Sequence, residues 1–493
     1  MNIAQFHTLP PGWPFLETLA SLLLEKHADD PLELARTLIL LPSRRSCRSL
    51  RETFLSASAG KPLLLPRIMP IGEVDGEADI FTLSGDAPPA TMPEKRRLAI
   101  LTRLILGQGD ITPARACQLA IELAHLLDEV EKHGLSFEKL HDLATEADLA
   151  AHWQKTTEFL AIITRQWPRI LEAEGMIDHA TATRERTLQL AKQWQKSPPD
   201  FPVIAAGSTG SVPATATLLQ SIAQMPGGMV ILPGLDSEMS AAAWNQLDPT
   251  HPQYGLRKFL EGAEVKRDKV SVIRTYNPTS NGTRNSSPPH ETGVTLQVLF
   301  APAALTAHWR ESALELEKDL AHLSFMQADT QNDEARMIAF KLREALETPG
   351  KTAALVTPDR TLARMVAAQC ARYGIVIDDS AGQPLADSPS AVFMRLLLEA
   401  VIGGGGPLPL LALLRHPFAA LGADAATTRA MSRLLESACL RGVRLQPGMD
   451  ALLEDAKKEA AAPELLASLD SLLERPAARR QLVSVTAEVE LAD

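Results

Sequence analysis

The chain has 493 residues, 45% of them hydrophobic and 22% charged, with a net charge of −11; so long a chain predicts about three or four domains rather than one core. The negative charge and an aromatic content of 4% exclude a free-standing basic DNA-coating protein and a surface built on stacked aromatics. Any nucleic acid would lie in a local basic groove shared with a partner. Cys47, Cys117, Cys370 and Cys439 are far apart and form no C-x-x-C pair. They read as reduced thiols, with neither a disulfide framework nor a zinc site. No apolar run reaches the ~18 residues of a membrane span, and no basic segment leads an apolar block at the N-terminus. A cytoplasmic protein with no membrane partner is expected.

Residues 1–30 read as strand, loop and helix. In a nucleotide-binding core the first strand leads into a Gly-rich loop ending Gly-Lys-Ser/Thr, which holds phosphates. Here the loop is Leu9-Pro10-Pro11-Gly12-Trp13-Pro14-Phe15, with no lysine. Each proline removes an N–H donor, so the loop makes a poor phosphate cradle.

The next stretch, Thr37 to Phe54, organises the chain. Leu38–Leu41 is a continuous apolar run stopped by Pro42, which predicts a strand buried on both faces of a parallel sheet. Ser43 can cap a following helix. On that helix Arg44, Arg48 and Arg51 share a face at i, i+4 and i+7, with Arg45 beside them, while Leu50 and Phe54 face the sheet. Open α/β sheets bind ligands at the edge where such a helix begins, and arginines at a helix N-terminus suit phosphate. The same charges also fit an ordinary solvated helix face.

Leu63–Pro66 and Ile68–Ile71 follow, then an acidic loop from Gly72 to Asp86. Residues 93–195 carry helical periodicity, as in Leu119, Leu123, Leu126 and Leu127, and in Phe159, Ile162, Ile163 and Trp167. This predicts an all-α insertion, closed by Ser197-Pro198-Pro199. Val203–Ala206 then reads as a strand, Gly207–Ser211 as its loop, Pro213 as a helix start and Met229–Leu232 as a further strand. The Gly207–Ser211 loop fits either an anion site at a helix N-terminus or a plain strand-to-helix connection. Tyr276–Gly293, rich in Asn, Ser, Thr, Pro and Gly, reads as a linker. A second α/β unit is expected from Ser324: a helix over Asn332–Glu347, a strand over Ala353–Val356, the loop Thr357-Pro358-Asp359-Arg360, a helix to Tyr373 and a strand over Ile375–Ile377. From Ala391 the chain is helical, with a break at Gly403–Gly406. The expected domains are 1–92, the first α/β unit; 93–197, the inserted helical subdomain; 198–300, that unit resumed, with the linker near 276–293; 301–390, the second unit; and 391–493, a helical region.

Catalytic constellations are sparse. His251-Pro252, His308-Trp309 and His416-Pro417 are isolated, and no H-E-x-x-H, G-x-S-x-G or metal-spaced carboxylate set occurs. Asp378-Asp379 could suggest a metal pair, but adjacent strand carboxylates point to opposite faces; a turn before Gly382 is the plainer reading.

Two α/β units, the first interrupted by helices and the second followed by them, form the layout of superfamily 1 helicase cores. Ile39-Leu40-Leu41-Pro42-Ser43-Arg44-Arg45, Leu63-Leu64-Leu65-Pro66-Arg67-Ile68 and Val203–Ser211 resemble the AddB subunits of bacterial AddAB helicase–nucleases, alphaproteobacterial type. So do His251-Pro252-Gln253-Tyr254-Gly255-Leu256, Ala353–Arg360, Ile377–Gly382 and Leu411–Pro417. The resemblance runs over nearly the whole chain. It implies an α/β fold of two RecA-like parallel-sheet units with helical insertions, in a complex that processes double-strand DNA ends for recombinational repair. It implies an AddA-type motor subunit as heterodimer partner and DNA, as broken ends and single strands, as ligand. Arg44, Arg45, Arg48, Arg51 and Arg360 take the nucleic-acid-binding role by position. In the family a C-terminal nuclease domain carries an iron–sulfur cluster and magnesium. This chain shows no nuclease carboxylate set and no cysteine group for a cluster, as expected of a fragment or truncated product that binds no cofactor. It also has no Walker A lysine, and Ala205 and Ala206 stand where magnesium-binding carboxylates would be sought. The implied activity is therefore that of a non-catalytic helicase-like subunit. An active ATP-dependent helicase subunit and a pure scaffold for the motor subunit are the alternatives.

Overall fold

The structure is a computed structural model that describes residues 5–58, 60–72, 90–109, 111–135, 159–273, 300–302, 305, 324–382, 384–402, 407–420, 424–441 and 449–459. The chain divides into two compact units, Met1–Ser324 and Phe325–Asp493.

The first unit is built on a parallel sheet. Its strands are β1 (Phe6–Leu9), β2 (Leu38–Leu41), β3 (Arg67–Pro70), β6 (Val203–Ala206), β7 (Gly228–Pro233) and β8 (Ser271–Val272), in spatial order β3-β2-β6-β7-β1-β8. Every pairing is parallel; Leu40 stands opposite Met69 on one side and Ala205 on the other. A parallel strand needs apolar residues on both faces, because helices cover both. β2 shows why its sequence is an unbroken apolar run. Leu38 and Leu40 enter one core, Ile39 and Leu41 the other, and all four are at most 1% exposed.

On one face pack α1 (Phe15–Lys26), α2 (Pro31–Arg36) and α3 (Arg44–Ala57), through Leu19, Leu23, Leu34, Leu50 and Phe54. The other face is covered by α7 (His179–Lys196), α8 (Pro213–Gln224) and α10 (Tyr254–Gly262), through Trp194, Leu218, Ile222 and Phe259. A shorter helix, α9 (Ala241–Asn245), precedes α10. The strands over 38–41, 203–206 and 229–232 and the helix start at Pro213 stand as the sequence reading placed them. The helices α9 and α10 and the strand β8 escaped it.

Between β3 and β6 the chain forms α4 (Glu94–Leu106), α5 (Pro113–His133), a π-helical turn (Ile162–Gln166) continuing into α6 (Trp167–Glu174), and then α7. This helical insertion has its own core of Leu101, Ile105, Ala120, Leu123, Leu127, Ile162 and Trp167. Leu126, counted with the apolar stripe, is 41% exposed, because it falls off the face that Leu123 and Leu127 share. A short parallel pair, β4 (Ala90–Thr91) with β5 (Met176–Ile177), links the segments that lead into α4 and α7. Inside it, the Trp167 indole donates to Asp178 Oδ2 at 2.7 Å. Arg97, with a side chain 7% exposed, bonds Asp128 at 2.7 Å and the Ala124 carbonyl at 3.1 Å and pairs with Asp178 at 3.3 Å. Burial pushes the Asp178 carboxyl up, while Trp167 and Arg97 pull it back.

The second unit holds α11 (Gln331–Ala345) and α12 (Arg360–Ala371), packed through Ala335, Ala339, Val366 and Cys370 with Leu355 and Ile375 against them. Then come α13 (Pro389–Ile402), α14 (Pro407–Arg415), α15 (Ala425–Leu435) and α16 (Met449–Lys458), around Ala400, Leu410, Leu414, Leu435 and Leu452. Both expected helices are present. The expected strands are not: among the described residues, 351–357 and 375–379 form no ladder. Leu355 and Ile375 pack on the helices, but Val356 and Val376 are 93% and 96% exposed. Parallel ladders form where both faces are covered, and among the described residues only one face is. The fold is thus α/β with a six-stranded parallel sheet, compatible with a Rossmann- or RecA-like unit. The acidic loop beyond Gly72, the linker 276–293, His308-Trp309 and the break at 403–406 lie outside the described residues.

Candidate nucleic-acid interface

Because all strands run the same way, their C-terminal ends form one edge. Ligands of open α/β sheets bind along such an edge. At its β1 side the loop Leu9–Phe15 turns at Gly12, φ +83°, with the Trp13 amide donating to the Pro10 carbonyl at 3.3 Å. α1 then begins behind Pro14 with no side-chain cap and with Glu17 in its first turn. The Phe15 ring lies over the β6 end: a methyl group on Gly207 would stand 3.4 Å from it and 3.6 Å from Pro42. β1 and β6 end in buried Leu9 and Ala206. The buried Thr8 hydroxyl donates to the Leu232 carbonyl and accepts from the Leu235 amide, both at 3.1 Å. This side of the edge is closed, apolar and backed by an acid.

The Gly207–Ser211 loop is a packed connection. Gly207 and Gly210 have φ +78° and +64°, and a side chain at Gly210 would meet the Phe259 ring at 2.3 Å. The Ser208 hydroxyl accepts the Gly210 amide at 3.3 Å.

At the β2 end the chemistry reverses. Ser43 caps α3 reciprocally: its hydroxyl accepts the Ser46 amide at 3.1 Å, and the Ser46 hydroxyl accepts the Ser43 amide at 3.2 Å. Arg44 and Arg45 occupy the first two helical positions, with no acid in the first turn. Both are exposed and each has an interaction of its own. Cations at a helix N-terminus oppose the macrodipole. Their placement breaks a local rule, as functional positions often do.

The five arginines singled out from the sequence are sorted by the structure. Arg48 lies one turn further, its Nε 3.1 Å from Glu52, with both side chains solvent-exposed. Such a pair is worth little and yields easily to another anion. Arg51, two turns on, donates Nη2 to the Ile68 carbonyl at 2.5 Å and so ties α3 to β3. Arg360, in the second unit, starts α12 behind the Asp359 cap. Its guanidinium grips Asp379 at 3.1 and 2.7 Å and the Gly382 carbonyl at 3.2 Å. The bond to Asp379 holds the Arg360 pKa above the ordinary arginine value. Asp379 also accepts the Ala381 amide at 2.9 Å, so the Asp378-Asp379 pair belongs to a turn. Arg44, Arg45 and Arg48 thus lie on the first two turns of α3, whereas Arg51 and Arg360 each reach a backbone carbonyl, of Ile68 and Gly382.

The residues present do not fit an iron–sulfur cluster. Cys47 sits in the sheet core, Cys117 on the exposed side of α5, Cys370 between α11 and α12, and Cys439 in the helical core of the second unit. Among the described residues no group of three His, Cys, Asp or Glu is placed to hold a metal ion, and no helix is long and apolar enough to cross a membrane. No protein-family model matches this chain, and no curated protein matches it significantly.

Proposed function

We propose that the chain is a non-catalytic, helicase-like subunit of the AddB type, acting in the cytoplasm with a motor subunit to guide DNA strands at double-strand breaks. The observation that carries this reading is the division of one sheet edge. Where an ATPase would hold phosphate, the edge carries prolines, Phe15 and Glu17. Where a strand could be held, it carries Arg44, Arg45 and Arg48 on a capped helix rooted by Leu50 and Phe54. A lysine and a carboxylate-held magnesium ion do the electrostatic work of phosphoryl transfer, and β1 and β6 end in Leu9 and Ala206, with neither a lysine nor a carboxylate in the loops Pro10–Pro14 and Gly207–Ser211. Phosphate contacts from arginines need no such chemistry and no base recognition. The resemblance of Ile39–Arg45 and Val203–Ser211 to the AddB subunits supports the same reading.

Arg360 favours a second role for the second unit. Its bidentate grip on Asp379 matches a scaffold surface better than a DNA contact, so that unit serves the partner subunit. Co-expression with an AddA-type motor subunit, then co-purification and ATP turnover assays, tests the proposal. The chain is expected to co-purify and to show no DNA-stimulated ATP turnover alone. Turnover by the isolated chain, lost on mutation within Leu9–Phe15, would overturn it.

A further inference from the structure

In the second unit, residues 324–328, 351–357 and 375–379 form neither helix nor ladder, and each run borders α11 or α12. Their ends are tied in a row. The Gln331 side chain, at the start of α11, donates to Asp359 Oδ2 at 2.8 Å, and the neighbouring Arg360 grips Asp379. Leu355 and Ile375 pack on the core that Ala335, Ala339 and Val366 form between the two helices. The runs are thus anchored from one side. Phe325, which is 91% exposed, Val356 and Val376 are turned to solvent instead.

Backbone and charge together say what this frame takes. Among the described residues, no N–H or C=O of 352–357 or 376–378 bonds another backbone group. A row of open backbone groups beside exposed β-branched residues is a template for an added strand. A helix has spent its own backbone groups and cannot fill such a row. Ala353 and Ala354, both exposed, keep bulk away from the backbone there. Asp329, Asp359, Asp378 and Asp379 follow the three runs, against one cation, Arg360, while Lys351 stands at the opposite end of its run. Acids at that end repel a phosphate backbone and favour a polypeptide strand that ends in lysine or arginine.

We propose that Thr352–Thr357 receives a β-strand from the proposed motor subunit: a run of apolar residues closed by a lysine or arginine. This rests on the reading of the chain as the partner of such a subunit. Alternate side chains of the incoming strand join Leu355 over α11 and α12 or lie beside Val356. Its terminal cation meets the end that carries Asp329 and Asp378. Pairing satisfies the open backbone groups and covers Val356. The arginines of α3 take no part.

The test is hydrogen exchange of the full chain, alone and in complex with an AddA-type motor subunit, with the affinity of that complex measured alongside. Two variants alter exposed positions: Ala354→Pro, which removes a backbone donor and blocks a ladder, and Val356→Lys. A third, Asp329→Lys, reverses a charge at the acidic end. Thermal unfolding of the chain alone verifies that all three fold. The amides of residues 353–357 are expected to exchange fast in the chain alone and at least about tenfold more slowly in the complex. Ala354→Pro and Val356→Lys should each weaken the complex by about tenfold or more. Asp329→Lys should weaken it less, and only at low salt. Protection already present in the chain alone would overturn the proposal, because the chain then covers the face itself. Protection that grows with chain concentration, together with a dimer mass in light scattering, would overturn it in favour of a second copy. A complex that forms without new protection at 353–357, or whose affinity Ala354→Pro and Val356→Lys leave unmoved, would sink this surface while leaving the motor partnership standing. Absence of any complex with the unsubstituted chain would remove the partnership itself, and this surface with it.

Discussion

The helices α1 and α3 start from the same edge of the same sheet and pack on the same face, yet their first turns are opposites. α1 begins with Pro14, lays Phe15 over the β6 end and puts Glu17 in its first turn. α3 begins with a Ser43–Ser46 capping box and puts Arg44 and Arg45 there. The α1 start follows ordinary helix electrostatics, with an acid near the positive end of the dipole. The α3 start works against the dipole while keeping its cap and its buried anchors. One position on the edge is thus closed by an aromatic ring and prolines, while a neighbouring one presents cations, and the proposed function rests on that difference.

Substituting the anchors sharpens this comparison most. Phe54 is fully buried under α3, whereas Phe15 is half-buried over the edge. Phe54→Ala is expected to cost about 3–5 kcal/mol and to lower DNA affinity by loosening α3. Phe15→Ala should cost clearly less and leave both DNA affinity and background ATP turnover unchanged. Urea unfolding with hydrogen exchange at β2 and β6 separates the two. Gained ATP turnover in Phe15→Ala would break the contrast.

The cap is the next lever. Ser43→Ala removes the side-chain half of the capping box and should cost about 1 kcal/mol, with a matching fall in protection over the first turn of α3. Arg51→Met comes next, removing the tie to the Ile68 carbonyl for at most about 1 kcal/mol while leaving the salt dependence of DNA binding as it was. A changed salt slope for Arg51→Met would move that residue from tie to interface.

A smaller effect concerns the β1 side. Burial and the neighbouring Lys26 hold the His7 pKa below its ordinary value. The folded state thus disfavours the charged imidazole. The associated stability is present above the unfolded pKa, near 6.5, and is lost as pH falls through the folded value. His7→Gln should flatten the fall in stability as pH drops below the unfolded imidazole pKa, near 6.5. An unaltered profile would exclude His7 as its source.

The sheet was legible because its strands, buried on both faces, are written as unbroken apolar runs at Leu38–Leu41 and Val203–Ala206. The insertion was legible from the spacing of Leu123 and Leu127. β8 has two residues and no run of its own; its place comes from pairing with His7 and Thr8. The strands read into the second unit failed at Val356 and Val376, because β-propensity does not supply a partner. At the site, the cap and the shared face of the arginines could be read. The division of labour among them could not: the carbonyl that takes Arg51 lies 17 residues away and the carboxylate that takes Arg360 lies 19 away.

The central claim is that Arg44, Arg45 and Arg48 hold a DNA backbone. The most direct measurement is binding to a tailed duplex over a salt series, using the chain in complex with the proposed AddA-type motor subunit. Every arginine–phosphate pair removed should reduce the slope of log affinity against log salt by ~1. The triple variant Arg44→Ala, Arg45→Ala, Arg48→Ala is expected to lower the slope by roughly 3 and to weaken binding equally on unrelated sequences. A slope and affinity equal to those of the unsubstituted complex would contradict the account.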